Sequence, residues 1–203
     1  EPNVRATEIE IYEGLVATSQ NCWPNVRFDV GGINNILSSF LPAGFYYKTF
    51  MWPASFWEKY EYLIRHSAGL GKSPKLADPD IYDHKYIHCD VLVIGAGIAG
   101  IIAAKTAAKN NLKTLILDEK TEIGGTTIFQ NSDNFKIDNK ISSDWLKNEI
   151  NELKKLNNLE IKTRTSVAAY HGYNYLLARE NLTDHLSQDE KKGKIRQRLL
   201  KIR

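Results

Sequence analysis

Asp90-Val-Leu-Val-Ile-Gly95-Ala-Gly97-Ile-Ala-Gly100 is the stretch that most narrows what this chain can fold into. Val91 to Ile94 is an apolar run, as a strand covered on both faces requires. It meets a glycine-rich turn that opens a helix. Gly95 lets the chain turn, Gly97 lets a pyrophosphate approach the backbone, and Gly100 lets helix and strand pack closely. The whole turn, Gly95, Ala96, Gly97, Ile98, Ala99 and Gly100, is the candidate phosphate cradle. The helix N-terminus adds free N–H groups and the positive end of its dipole.

The next residues supply the context that a bare glycine motif lacks. Ile98 to Lys109 is rich in Ala and Ile and predicts a helix, which Asn110 and Asn111 can end in a left-handed conformation. Thr114 to Leu117 predicts a second strand. Asp118 and Glu119 follow, about 18 residues past Gly100, where a carboxylate meets a ribose hydroxyl. Asp118, at the strand end, is the better candidate. Gly124 and Gly125 let the chain pass close to a dinucleotide. A carboxylate here disfavours a 2′-phosphate, so NADP is set aside. NAD and FAD both fit these residues. The apolar stretch is too short for a membrane span, which needs about 20 residues.

Elsewhere the signals are structural. Asp29 caps a helix with an Ile33, Ile36, Leu37 and Phe40 stripe. Ten of the 21 aromatic residues fall between Phe40 and Tyr62, an arrangement that reads as core or subunit contact. Ser55 and Glu58 form a capping box, with Gly69 ending that helix. The run Gly69-Leu-Gly-Lys72-Ser73 lacks the earlier glycine of a phosphate loop, since His66 stands there. Residues 73–87 read as a linker and 126–140 as a polar loop. Ser142 or Ser143 caps a helix with a Leu146, Ile150 and Leu153 stripe. Leu159 to Val167 alternates as a third strand, with Val167 as a backbone contact to adenine. Tyr170 to Arg179 forms a hairpin, and Ile195 to Ile202 an edge strand. His84, His88, Cys89 and Asp90 cannot converge on one ion from a strand, so no metal site is assigned. A net charge of +3 is too small to imply a nucleic-acid partner. Two cysteines exclude an iron–sulfur cluster held by this chain alone. No secretory leader is evident, so the cytoplasm is the expected location. Glu1 is not an initiator and Arg203 ends a strand-like run, so a piece of a longer protein is expected.

Taken together, the chain resembles the alpha subunit of heterotetrameric sarcosine oxidase. The resemblance lies in EPNVRATEIEIYEGLVATSQNCWPNVRFDV, LPAGFYYKTFMWP, AGLGK, DVLVIGAGIAG, LDEKTEIGG and RQRLLKIR. Where that family carries Arg before the WP of its SQN-x-WP run, this chain has Cys22. The expected class is α/β: a Rossmann-like dinucleotide-binding domain of the ββα flavoprotein type, incomplete, preceded by an irregular, aromatic-rich, mainly helical segment. The resemblance implies that residues 1–86 are the later part of a ferredoxin-like region with its connecting segment, and that 87–203 begin an NAD- or FAD-binding domain. It further implies NAD bound here, with flavins and folate elsewhere in the complex. The partners would be a beta-type flavoprotein subunit and smaller subunits of a heterotetramer. The complex would demethylate sarcosine to glycine, an oxidation at the CH–NH group, and pass the one-carbon unit to tetrahydrofolate. No catalytic residue is assigned to this chain, and the fragment alone is not expected to be active. A self-contained FAD-dependent oxidoreductase and a functionally silent fold fragment are the other readings.

Overall fold

The computed structural model describes residues 9–19, 22–40, 44, 52–68, 76–130 and 135–203. It divides into two compact units, Glu1–Asp78 and Pro79–Arg203.

In the first unit, β1 (Pro24–Asn25) and β2 (Phe28–Asp29) form a short antiparallel pair. The Asn25 side chain closes the turn by accepting from the Arg27 and Phe28 N–H groups, both at 3.0 Å. Asp29 caps the next segment, accepting from Gly31 N–H at 2.9 Å. That segment is less regular than its periodicity suggests. One α turn, α1 (Ile33–Ile36), sits between two 3-10 turns. Ile33 and Ile36 are exposed rather than packed, and the side chains of Leu37 and Phe40 lie outside the described residues. The second helix, α2 (Trp57–Ser67), corrects the expected capping box. A 3-10 turn over Ala54–Phe56 precedes it, Phe56 takes the N-cap position, and no side chain caps either element. Ser55 is inside that turn and cannot serve. The helix closes through Ala68 N–H onto the Ile64 carbonyl at 2.8 Å. Gly69 and the Gly69–Ser73 run lie outside the described residues.

The second unit has three layers around a parallel sheet. Strands β4 (Val91–Ile94), β5 (Thr114–Leu117) and β8 (Leu159–Lys162) run parallel in the order β4-β5-β8. Helices α3 (Ile98–Lys109) and α4 (Ser142–Lys154) are the crossovers. β5 shows why its sequence is apolar without a break. Ile116 packs beneath the helices with Ile101, Ala104, Trp145 and Leu153, whereas Leu115 and Leu117 point to the opposite face. Each such buried Leu or Ile contributes roughly 1.5–3 kcal/mol. Asn111 takes φ 63° beyond α3, as its position suggested. Asn158 donates to the Ala108 and Leu112 carbonyls, both at 2.9 Å, and so ties the loops at the N-terminal ends of the strands.

The other face carries a second sheet, of order β3-β11-β10-β9, built from β3 (Ile81–Ile87), β9 (Thr165–His171), β10 (Tyr175–Asn181) and β11 (Ile195–Ile202). Ile87, Leu176, Ala178, Leu200 and Ile202 pack there against Leu115 and Leu117. Three expectations need correction. Residues 81–87, read as linker, are a strand, because β11 pairs with them in parallel. For the same reason β11 is an inner strand, not an edge. The alternating run from 159 to 167 is two strands in different sheets. It breaks at Thr163-Arg164, where Arg164 has φ 51° and its N–H bonds the Lys120 carbonyl at 2.8 Å. The expected hairpin appears as β9 and β10 joined through Gly172–Asn174.

Between β5 and β8, the expected polar loop contains a 3-10 turn at Gly125–Phe129 and a small hairpin, β6 (Lys136–Ile137) with β7 (Lys140–Ile141). Ser142 opens α4 but does not cap it. Ile141 holds the N-cap position, and the fully buried Ser142 hydroxyl donates to the Gln130 carbonyl at 3.4 Å. Trp145, absent from the expected stripe, is buried beside Leu146.

Cys89, between β3 and β4, packs partly buried against the lower core. Burial pushes its thiol above the usual range, and the charge of Lys113 offsets only part of this. The thiolate is the nucleophile. In a Cys22→Ser background, iodoacetamide at pH 8 should therefore label Cys89 several-fold more slowly than free cysteine, with the normal rate restored in urea. A rate equal to that of free cysteine in the folded protein would contradict this.

Candidate functional site

The site is the corner where β4 passes into α3. Gly95 has φ 93°, a conformation that side chains rarely adopt, and its N–H bonds the Leu117 carbonyl at 2.8 Å. This reverses the chain at the carboxyl end of the sheet. Ala96 follows, with no exposed surface, and is held from two sides. Its N–H donates to Asp118 Oδ2 at 2.6 Å, and its carbonyl accepts from Gly124 N–H at 2.7 Å. Gly97 takes the N-cap position of α3 in extended conformation, without a side-chain cap. The first turn contains no acidic residue, so its N–H groups and positive dipole end are available to an anion.

The glycines differ in what they exclude. A Cβ on Gly97 would meet nothing within 4 Å, whereas one on Gly100 would lie 1.9 Å from the Gly95 carbonyl oxygen. Gly97 thus borders open space, and Gly100 seals the helix onto the turn. A Cβ on Gly125 would lie 3.1 Å from Gly97 Cα. The loop after β5 therefore rests directly on the turn. Ile98 packs into the helix-side core, and Ala99 faces outward.

Asp118 ends β5, 8% exposed, and its second oxygen accepts from Lys120 N–H at 2.8 Å. Two main-chain donors thus orient the carboxylate beside the turn, and its remaining lone pairs stay available to a hydroxyl. Glu119 is exposed and pairs with Lys120 at 3.3 Å. It belongs to the surface, not to this arrangement. Val167 lies on β9, partly buried against the lower core and paired with Ala178. Two residues before it, Thr165 N–H bonds the Asp118 carbonyl at 2.7 Å, which places the start of β9 beside the end of β5. Sequence reasoning missed Ala96 as the residue that joins turn, carboxylate and loop. Main-chain bonds of this kind leave no mark in residue type.

A parallel sheet with a glycine turn at its first corner and a carboxylate ending its second strand defines a Rossmann-like dinucleotide-binding flavoprotein fold. The model of the FAD-dependent oxidoreductase family matches residues 90–192, half of the chain, and the chain belongs to that family. Among its relatives is sarcosine oxidase subunit alpha of Rhizobium meliloti (strain 1021), 46% identical over 189 residues, which cover 93% of this chain and 19% of that protein. The same subunit of Corynebacterium sp. (strain U-96) is 35% identical over 136 residues, 67% of this chain and 14% of that protein. The chain therefore spans less than a fifth of the length of these relatives. A solved structure, L-proline dehydrogenase from P. horikoshii, aligns with a TM-score of 0.46 and 23% identity over 59% of this chain and 22% of its own.

Proposed function

We propose that the β4–α3 corner binds the ADP half of a dinucleotide, NAD⁺, within a sarcosine oxidase-like complex. The observation that carries this is the open space at the Gly97 Cβ position, at an uncapped helix N-terminus, with the Asp118 carboxylate fixed alongside. Gly97, Ile98 and Ala99 would offer main-chain N–H groups to the pyrophosphate, and Asp118 would accept from the ribose. Gly124 and Gly125 would line the approach, and Val167 would meet the adenine. Bound NAD⁺ supplies a hydride-accepting nicotinamide. FAD is the second reading, favoured by the family match over residues 90–192. Both ligands share the ADP half that this corner suits.

The resemblance to sarcosine oxidase alpha subunits supports a non-catalytic role for these residues. In this proposal a beta-type flavoprotein subunit oxidises sarcosine to glycine in the cytoplasm. A folate site elsewhere takes the one-carbon unit, and smaller subunits complete the heterotetramer. No described helix is long and apolar enough to cross a membrane.

Calorimetry of the full-length protein with NAD⁺ and with FAD tests the site. Gly97→Leu should weaken the bound dinucleotide at least about 100-fold, which is about 2.7 kcal/mol. Its folding stability should fall by no more than about 1 kcal/mol, the cost of an apolar residue at the helix N-cap, since a Cβ there meets nothing within 4 Å. Undiminished binding by Gly97→Leu would overturn the site. Tight FAD with no NAD⁺ binding would replace the first reading with the second.

A further inference from the structure

The second sheet has two sides, and the core accounts for only one of them. Ile87, Leu200, Ile202, Leu176 and Ala178 point inward, so the residues that alternate with them point outward. The register sets these in rows across three strands. His84, Leu199 and Arg179 form one row, and Tyr86, Lys201 and Leu177 the next. Tyr82 continues the line on β3. Tyr86 is 63% exposed, and Tyr82, His84, Leu199 and Arg179 are exposed around it.

The two sides handle charge differently. Arg198 shares the inner side with Leu200 and meets Asp83 at 3.0 Å and Glu180 at 3.7 Å. On the outer side, Arg179 and Lys201 meet no carboxylate among the described residues. Lys201 lies instead over the Tyr86 ring, 4.8 Å from its centroid, and donates to its hydroxyl at 3.3 Å. The His84 and Tyr86 rings meet edge to face at 6.1 Å. Neither row contains an acid. The face is aromatic, apolar and basic, and Tyr and Arg are the residues that most often anchor interfaces.

We propose that this face docks an acidic patch of a partner subunit, whose Asp or Glu side chains pair with Arg179 and Lys201 around Tyr82, His84 and Tyr86. The step rests on the reading of this chain as part of a sarcosine oxidase-like complex, and its relatives are named as subunits. Charge selects the occupant. A second copy set face to face would bring Arg179 and Lys201 against their own kind, and like charges across an interface repel. A nucleic-acid backbone or an anionic lipid surface is held by clusters of roughly four to ten basic side chains, far more than Arg179 and Lys201 supply. A carboxylate on a protein surface needs only one of them. The surrounding rings would exclude water from each pair and so strengthen it.

Hydroxyl-radical footprinting of the full-length protein, alone and co-expressed with the beta-type and smaller subunits, tests the docking. Tyr86, His84 and Leu199 should be labelled in the isolated protein and at least about tenfold less in the complex. The double variant Arg179→Glu, Lys201→Glu should weaken association of the subunits at least about 100-fold, and Arg179→Gln, Lys201→Gln at least about tenfold. Added salt should weaken the parent complex more than the Gln variant. Both variants should keep the urea midpoint and the dinucleotide affinity of the parent, since they alter exposed positions away from the turn. A complex in which Tyr86 stays labelled, or one that charge reversal leaves intact, overturns the docking and leaves the complex standing. Protection of Tyr86 in the isolated monomer overturns it in favour of the same polypeptide, and protection by a concentration-dependent dimer in favour of a second copy. If no subunit associates with the parent protein, the complex reading falls, and the docking with it.

Discussion

Gly100→Ala should unfold the second unit at denaturant concentrations that leave the parent intact. Its methyl group would lie 1.9 Å from the Gly95 carbonyl oxygen, 3.1 Å from the Gly95 carbonyl carbon and 3.3 Å from Val93 Cγ1. The nearest obstacle is main chain, and it cannot rotate away. The turn itself is fixed, because Gly95 N–H bonds Leu117 and Ala96 bonds Asp118 and Gly124. Relief requires moving α3 off the sheet, which opens the contacts of Ile101 and Ala104 with Ile116. Overpacking costs about 1–3 kcal/mol where side chains can adjust, and here the cost should exceed about 3 kcal/mol. Domains are stable by only about 5–15 kcal/mol. In urea titration followed by Trp145 fluorescence, the midpoint should fall by about 1 M or more. Gly124→Ala should cost less. Its closest contact, 2.6 Å, is the Leu146 Cδ2 methyl, which can move, although φ 133° still strains any side chain there. A Gly100→Ala protein with an unchanged midpoint would show that helix and strand are not packed as described.

The same corner shows what can be read from a sequence. The limits of β4, α3 and β5 follow from local patterns: a short apolar run, a glycine turn, an Ala-rich helix and Asn111 at its end. These features act within a few residues, so the chain states them directly. β3 was not legible, because Ile-Tyr-Asp-His-Lys-Tyr-Ile has no clean alternation and becomes a strand only by pairing with β11, more than 100 residues away. The break between β8 and β9 was hidden by an alternation that continues through Thr163 and Thr165. It is set by Lys120 and Asp118 bonding to the main chain of Arg164 and Thr165. Capping failed as a guide at Ser55 and Ser142 because each helix is entered from an element that already fixes the backbone: a 3-10 turn in one case, a hairpin in the other. The residues of the site were legible as types and spacings. Their mutual bonds were not, since Ala96 is an ordinary residue doing its work through its peptide groups.

Those bonds make Asp118 the position at which stability and binding should separate least. In Asp118→Ala, the N–H groups of Ala96 and Lys120 lose their acceptor together. Ala96 has no exposed surface, so solvent cannot replace that bond without entering the core. Hydrogen bonds to a charged group are worth about 1.5–3 kcal/mol each, and a buried donor left unpaired costs about 1–3 kcal/mol. The Lys120 N–H is the more accessible of the two and should recover part of its loss from water. A net destabilisation of about 3 kcal/mol is expected, with the dinucleotide lost as well. Asp118→Asn sharpens the test. Its amide keeps one acceptor oxygen but turns an NH₂ group toward one of the two N–H donors, so it should be nearly as unstable as Asp118→Ala despite its shape. Asp118→Glu retains the charge but places it one methylene further out, past the Ala96 N–H. It should lose stability while keeping part of the ribose contact. Denaturation and calorimetry on the three variants separate the roles. If Asp118→Ala and Asp118→Asn melt like the parent, the carboxylate does not fix the turn. If they are destabilised but bind NAD⁺ and FAD as the parent does, it fixes the turn and touches no ligand.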